Sequence, residues 1–172
     1  MASSPKIVPC LWFDTDTEEA IDFYISVFNG SPHKRSESRI LTIQRYEEGM
    51  QVPGADTMQG KILTAIFELD GQRFLALDGG PAFSFSEAVS FYVECEDQEE
   101  VDYFWDALSA VPEAEACGWL KDRFGLSWQI VPSVLPELLQ GEDTEKAQRV
   151  MAAMLGMRKL DIAELEAAAA AR

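Results

Sequence analysis

Histidine is almost absent: His33 is the single one in 172 residues. That scarcity excludes metal sites built from several imidazoles of one chain, such as two-His-one-carboxylate iron, three-His zinc or an HExxH zincin. A Ser-His-Asp arrangement would have to run through that one residue. Basic residues are also few, 14 Lys and Arg against 30 Asp and Glu, for a formal charge of -16. Affinity for phosphates comes from Lys and Arg displacing counterions, so no nucleic-acid partner is expected. The cysteines, Cys10, Cys95 and Cys117, lie far apart with no CxxC pair. They form neither a disulfide framework nor a zinc knuckle and read as reduced thiols. No apolar run approaches the roughly 18 residues that span a bilayer. Met1 to Lys6 lacks the apolar core of a signal peptide. The expectation is a soluble, cytoplasmic protein with no membrane partner.

Apolar residues make up 47% of the chain, ample for one core or for two small halves that share one. Ile7 to Phe13 is rich in strand formers and breaks at Asp14-Thr15-Asp16-Thr17, where Asp16 or Thr17 offers an N-cap. The spacing of Ala20, Phe23, Tyr24, Val27 and Phe28 then predicts an amphipathic helix that stops at Asn29-Gly30-Ser31-Pro32. Ile40 to Tyr46 alternates as a strand. Glu47 to Gly60 reads as a long loop, either a mobile surface segment or a cover for a ligand. Lys61 to Leu69 and Arg73 to Leu77 form a hairpin around Asp70-Gly71.

After Gly79-Gly80-Pro81 the pattern restarts. Val89 to Cys95 predicts a strand, Glu96-Asp97 a cap, and Val101, Phe104, Trp105 and Leu108 a second helix. Ala116 to Leu120 and Ser127 to Val131 predict further strands, and Ser133 to Leu139 a short helix or turn. Laid over one another, the halves match Glu18-Glu19 to Glu99-Glu100, Ala20 to Val101, Tyr24 to Trp105 and Val27 to Leu108. Each half is a strand, a helix, then two or three strands, as duplication of one unit would produce. The expected division is 1–80, 81–140 and a helical tail at 141–172. In the tail, Ala147, Val150, Met151, Met154 and Leu155 share one helix face, a core or dimer stripe; Met151, Met154 and Met157 could alternatively line a pliable binding face.

Alternation places Ser90, Tyr92 and Glu94 on one face of their strand, and Ser127, Gln129 and Val131 on one face of the last strand. With Trp119 as an aromatic wall, Ser90, Tyr92, Glu94, Ser127 and Gln129 form the candidate ligand-binding cluster. Glu94 would serve as a general base if desolvation raised its pKa. Cys10 and Trp12 read as helix-facing core, Trp105 and Trp128 as core, Cys117 as structural, and His33 as a surface residue.

Pro9-Cys10-Leu11-Trp12-Phe13-Asp14 with Glu19-Ala20-Ile21-Asp22-Phe23-Tyr24 carries a family resemblance, as do Glu68-Leu69-Asp70-Gly71 and Leu77-Asp78-Gly79-Gly80-Pro81. Cys117-Gly118-Trp119-Leu120-Lys121-Asp122, Gly125-Leu126-Ser127-Trp128-Gln129 and the tail from Glu145-Lys146-Ala147-Gln148 extend it. Together they resemble the PhnB-like proteins of the vicinal oxygen chelate superfamily, which includes glyoxalases and bleomycin-resistance proteins. The resemblance implies an α+β fold of paired βαβββ modules forming a U-shaped cup, with C-terminal helices, as a homodimer that exchanges strands or modules.

Transferred to this chain, the superfamily's metal-ligand positions fall on Pro9, Ser90, Gln129 and either Leu75 or Ala76. These side chains are poor or impossible ligands, so no metal and no other cofactor is expected. The family description 3-demethylubiquinone 3-methyltransferase would require a glycine-rich turn entering a helix to seat S-adenosylmethionine. Asp78-Gly79-Gly80-Pro81 precedes no convincing helix and reads as a linker. The function expected is therefore binding of an unidentified small molecule without metal, or an uncharacterised enzymatic activity. A bleomycin-type drug-binding protein, favoured weakly by the acidic charge, and a metal-dependent lyase or dioxygenase are the alternatives.

Overall fold

A computed structural model describes residues 5–141 and 143–171. They cluster into two compact units: Lys34–Phe85 with the chain up to Gly30, and Ser31–His33 with the chain from Ser86 onward. Among the described residues no helix is long and apolar enough to cross a membrane.

The first unit runs β1 (Cys10–Phe13), α1 (Thr17–Asn29), β2 (Arg39–Arg45), β3 (Ile62–Leu69) and β4 (Gln72–Asp78). Its sheet has the order β1-β4-β3-β2, with β1 parallel to β4 and the other pairs antiparallel. The β3–β4 turn takes Asp70 and Gly71 to φ of 45° and 89°, the left-handed conformation that a tight hairpin needs. Asp70 Oδ1 accepts the Arg35 and Ser36 amides, each at 2.7 Å, and so ties the hairpin tip to the chain entering β2.

Asp16 occupies the N-cap position of α1, but its side chain makes no capping bond. The carboxylate comes instead from Asp78, at the far end of the unit. Asp78 Oδ1 accepts the Thr17 amide and Oδ2 the Ile62 amide, both at 2.9 Å, and the residue is 1% exposed. One buried carboxylate therefore satisfies the start of α1 and the start of β3 together. Tyr46 Oη donates to the Asp78 carbonyl at 3.0 Å.

Asp78 also settles the faces of the sheet. Its side chain reaches α1, so the Phe74, Ala76 and Asp78 face of β4 looks toward the helix. Register places Leu11 beside Ala76 and Phe13 beside Asp78, and these are the buried residues of β1, at 5% and 3% exposure. The expectation for Cys10 and Trp12 is thereby overturned. Both lie on the opposite face, Cys10 exposed and Trp12 half-buried. Every residue of β1 is apolar, so alternation alone could not say which parity faces the helix. The Glu47 to Gly60 loop carries a small core of its own, in which buried Tyr46, Ala55 and Met58 pack with Met50 and Leu63.

The second unit runs β5 (Ser90–Cys95), α2 (Gln98–Leu108), a 3-10 turn at Pro112–Ala114, β6 (Trp119–Lys121) and β7 (Ser127–Pro132). Three helices follow: α3 (Val134–Leu139), α4 (Thr144–Gly156) and α5 (Ile162–Ala170). The sheet order is β5-β7-β6, with β5 parallel to β7 and β6 antiparallel to it. The topology of the first unit thus recurs without the outermost strand. Where that strand would lie, residues 109–118 hold proline, acidic residues and alanines in place of strand formers. The second module is therefore βαββ among the described residues, one strand short of the βαβββ unit implied by the family resemblance.

Asp97 caps α2 by accepting the Glu100 amide at 3.0 Å, and Val101, Phe104, Trp105 and Leu108 form the buried stripe. The β6–β7 turn closes over buried Asp122, which accepts the Phe124 and Leu126 amides and the Trp128 indole N–H at 2.8 to 3.0 Å. The tail packs within this unit through Val131, Leu135, Val150, Leu160 and Leu165. Cys117 and Gly118, both with positive φ, donate their amides to the carbonyls of Met157 and Arg158, each at 2.8 Å. The Gln98 amide grips the same stretch, donating to the Leu160 carbonyl and accepting the Ile162 amide.

Replacing the buried Asp78 by alanine strands two backbone donors. Asp78→Ala should lower stability by about 3 kcal/mol, read as a reduced urea midpoint with an unchanged slope. A loss below about 1 kcal/mol would show that the carboxylate does not hold α1 and β3 together.

Candidate functional site

The β5–β7 ladder decides which candidate residues meet. Parallel register sets Ser90 beside Ser127, Tyr92 beside Gln129 and Glu94 beside Val131. From the other edge β6 sets Trp119 beside Gln129 and Lys121 beside Ser127. Tyr92, Gln129 and Trp119 therefore form one row across three strands, with Gln129 at the centre. Their side chains share the face opposite Trp128 and Ile130.

A cavity of about 500 Å³ opens on this row, within the usual range for small-molecule sites. Tyr92, Trp119, Gln129 and Val131 line it from the sheet, and Cys117 from the preceding turn. The opposite wall belongs to the C-terminal helices: Leu135, Pro136 and Leu139 of α3, Gln140 just after it, and Met154 and Leu155 of α4. The lining is mostly apolar, and among the described residues no charged side chain contributes to it.

Gln129 Nε2 donates to Ser90 Oγ at 2.9 Å, so Ser90 orients the amide from just beyond the cavity. Ser127 is 1% exposed, and its Oγ has no hydrogen-bond partner among the described residues. Glu94 is exposed and lies outside the lining. The row thus brings Tyr92, Gln129 and Trp119 together at the cavity, with Ser90 behind them; Ser127 and Glu94 stand apart from it. Partial burial, and then Glu94 and Cys95, push the Tyr92 phenol above its usual range, which keeps it protonated and able to donate at neutral pH.

Sequence reasoning missed the wall supplied by α3. Leu135, Pro136 and Leu139 sit in a short, mostly apolar segment whose one charged residue, Glu137, lies outside the lining. For α4, one signal was visible in the methionine stripe, and the structure divides it. Met154 lines the cavity, Met157 packs against the tail core, and Met151 is 41% exposed.

The metal positions that the superfamily resemblance implies do not fit an ion here. Pro9 and Leu75 meet through the backbone, Leu75 N donating to the Pro9 carbonyl at 2.8 Å, and their side chains carry no donor atom. Ser90 and Gln129 bond to each other. Among the described residues no three His, Cys, Asp or Glu side chains gather in a way that could hold a metal. S-adenosylmethionine fits no better at Asp78-Gly79-Gly80. The Asp78 carboxylate is already engaged, and residues 79–89 form no helix. The glycines serve Trp12: a Cβ on Gly79 would lie 2.2 Å from its indole, whose Nε1 donates to the Gly80 carbonyl at 2.9 Å.

These two sheets, each with a helix after its opening strand, together with the helical tail define an α+β protein of PhnB-like fold. Residues 5–131 match the family model described as 3-demethylubiquinone-9 3-methyltransferase, and the chain belongs to this PhnB-like family. The PhnB protein from Bacillus cereus is 33% identical, over 75% of this chain and 100% of its own, with a TM-score of 0.59. A protein from Pseudomonas aeruginosa shares the fold at 22% identity, over 75% of this chain and 98% of its own, with a TM-score of 0.53. A lactoylglutathione lyase from Agrobacterium tumefaciens is 16% identical over 77% of this chain and 98% of its own, with a TM-score of 0.36. No curated protein matches the chain.

His33 lies apart from the cavity, against the start of α2. Its Nε2 meets Asp97 Oδ2 at 2.8 Å and its Nδ1 lies 3.6 Å from Glu96 Oε2, with the side chain 33% exposed. Beside it, Ser31 Oγ donates to Glu100 Oε1 at 2.6 Å. The bond to Asp97, and then the charges of Asp97, Glu96 and Glu100, raise the His33 pKa above the usual 6.5. The Glu100 amide, and then His33, lower that of Asp97 below 3.8. The raised histidine contributes stability fully below its unfolded pKa, and that contribution is lost as pH rises through the folded value. The lowered aspartate contributes above its unfolded pKa, and loses that contribution as pH falls through the folded value. An NMR titration should place His33 above 6.5, and Asp97→Asn should bring it back toward 6.5. A wild-type value at or below 6.5 would show that the pair is not formed in solution.

Proposed function

We propose that this protein binds a small, uncharged, largely apolar molecule in the cavity of the second unit, without a metal ion. The cavity itself carries the proposal: about 500 Å³ between an aromatic row and a mostly apolar helical wall, with two amides in its lining, Gln140 and the Gln129 amide that bonds to Ser90. Soluble proteins rarely leave such a surface concave unless something occupies it. A cationic drug of the bleomycin type would find no carboxylate among the described residues of the lining, which favours a neutral ligand despite the overall charge of -16. Placement of Ser90 and Gln129 against each other supports recognition by hydrogen bonding rather than by coordination.

N-phenyl-1-naphthylamine, a neutral aromatic dye that brightens in apolar surroundings, provides the test. Titration should give saturable fluorescence enhancement that survives dialysis against a chelator. Met154→Trp, which fills the cavity from α4, should weaken binding about tenfold while the melting temperature stays within a few degrees. Absence of saturable binding to the wild type, or equal binding by Met154→Trp, would count against this site.

A further inference from the structure

We infer that the ligand of this cavity is an aromatic molecule carrying a hydroxyl or N–H donor, which Gln129 Oε1 accepts. The inference rests on the cavity proposed above and specifies the chemistry it selects. A primary amide has one donor end and one acceptor end. Here the donor end is engaged, because Gln129 Nε2 bonds to Ser90 Oγ at 2.9 Å, and Oε1 is left as the acceptor with no protein partner among the described residues. Register places that amide directly between Tyr92 on β5 and Trp119 on β6. A planar ring lying along the row would gain contact with both aromatic side chains, and its donor would fall at the central amide.

The surrounding wall sharpens this selection. Val131, Leu135 and Met154 present no polar side-chain group to a ligand, and Gln140 is the one amide on the helical side, so a ligand lacking a donor would displace water from Gln129 Oε1 and return nothing to it. An unmet acceptor in an apolar site is costly, whereas a matched donor recovers the bond. Ser90 acts as a positioning residue, since its hydroxyl engages the Nε2 end of the amide and leaves Oε1 unbonded. Ser90 and Gln129 are also two positions to which the superfamily resemblance assigns metal ligands. In this chain they form a hydrogen-bonding device in place of coordination.

The test is a displacement series against N-phenyl-1-naphthylamine, using naphthalene, 1-naphthol and 1-methoxynaphthalene, which share a ring system and differ in the donor. The wild type should bind 1-naphthol about fivefold more tightly than the other two. Gln129→Met should remove that preference, bringing the affinities of the three compounds within about twofold of one another. Ser90→Ala should reduce the preference in the same way, because the amide is then free to turn. Equal affinities in the wild type, tighter binding of the methyl ether, or a preference that survives Gln129→Met would overturn the inference. Dye binding separates the two levels. A flat series with the dye bound defeats only the donor requirement, whereas failure of the dye to bind wild type defeats the cavity and this inference with it.

Discussion

In each unit the closing strand lies parallel to the opening strand, and that single constraint sets most of the chemistry. Strands β1 and β4 are joined in this way, as are β5 and β7. A parallel neighbour cannot be reached by a tight turn, so the chain must make an excursion first, and the helix supplies it with two intervening strands in the first unit and one in the second. Because the last strand ends where the first one ends, Asp78 arrives beside the start of α1. For the same reason, Gln129 arrives beside Tyr92. Both are consequences of register, and neither pair is close in sequence.

The two units show how one topology supports different work. In the first, a carboxylate at the end of the closing strand is buried to tie a helix and a strand together through their backbone amides. In the second, α2 has its own cap in Asp97, and the closing strand carries a glutamine in mid-strand between two aromatic neighbours. The missing outermost strand and the added tail belong to the same unit. Helices α3 and α4 contribute an apolar wall opposite the aromatic row, and α5 completes their packing through Leu165. Anchoring of residues 157–162 by Cys117, Gly118 and Gln98 holds that wall in place. The family model covers residues 5–131, so half of the cavity is built by chain beyond the matched segment.

Much of the architecture was legible in the residues. The helix stripe at Val101, Phe104, Trp105 and Leu108, the Asp70-Gly71 hairpin and the repeated order of elements each follow from local periodicity or turn chemistry, which need no knowledge of distant contacts. The face of β1 was not legible, because in Cys10-Leu11-Trp12-Phe13 both parities are apolar. Tyr92, Gln129 and Trp119 could be placed on one face by alternation. That they form a single row, with Gln129 in the middle, depends on register that alternation does not contain.

By itself the sequence determined the class of protein: acidic, poor in imidazole, built from a repeated strand-and-helix unit, with unsuitable side chains at the positions where the family resemblance implies metal ligands. Composition and period are properties of a chain read along its length, and these conclusions require nothing more. Tertiary structure alone decided that Asp78 rather than Asp16 caps α1, that Cys10 and Trp12 face away from the helix, and that the tail walls a cavity over Gln129. Each of these turns on a partner tens of residues away. Burial and hydrogen bonding choose such partners by geometry, and a one-dimensional pattern carries no distance between them.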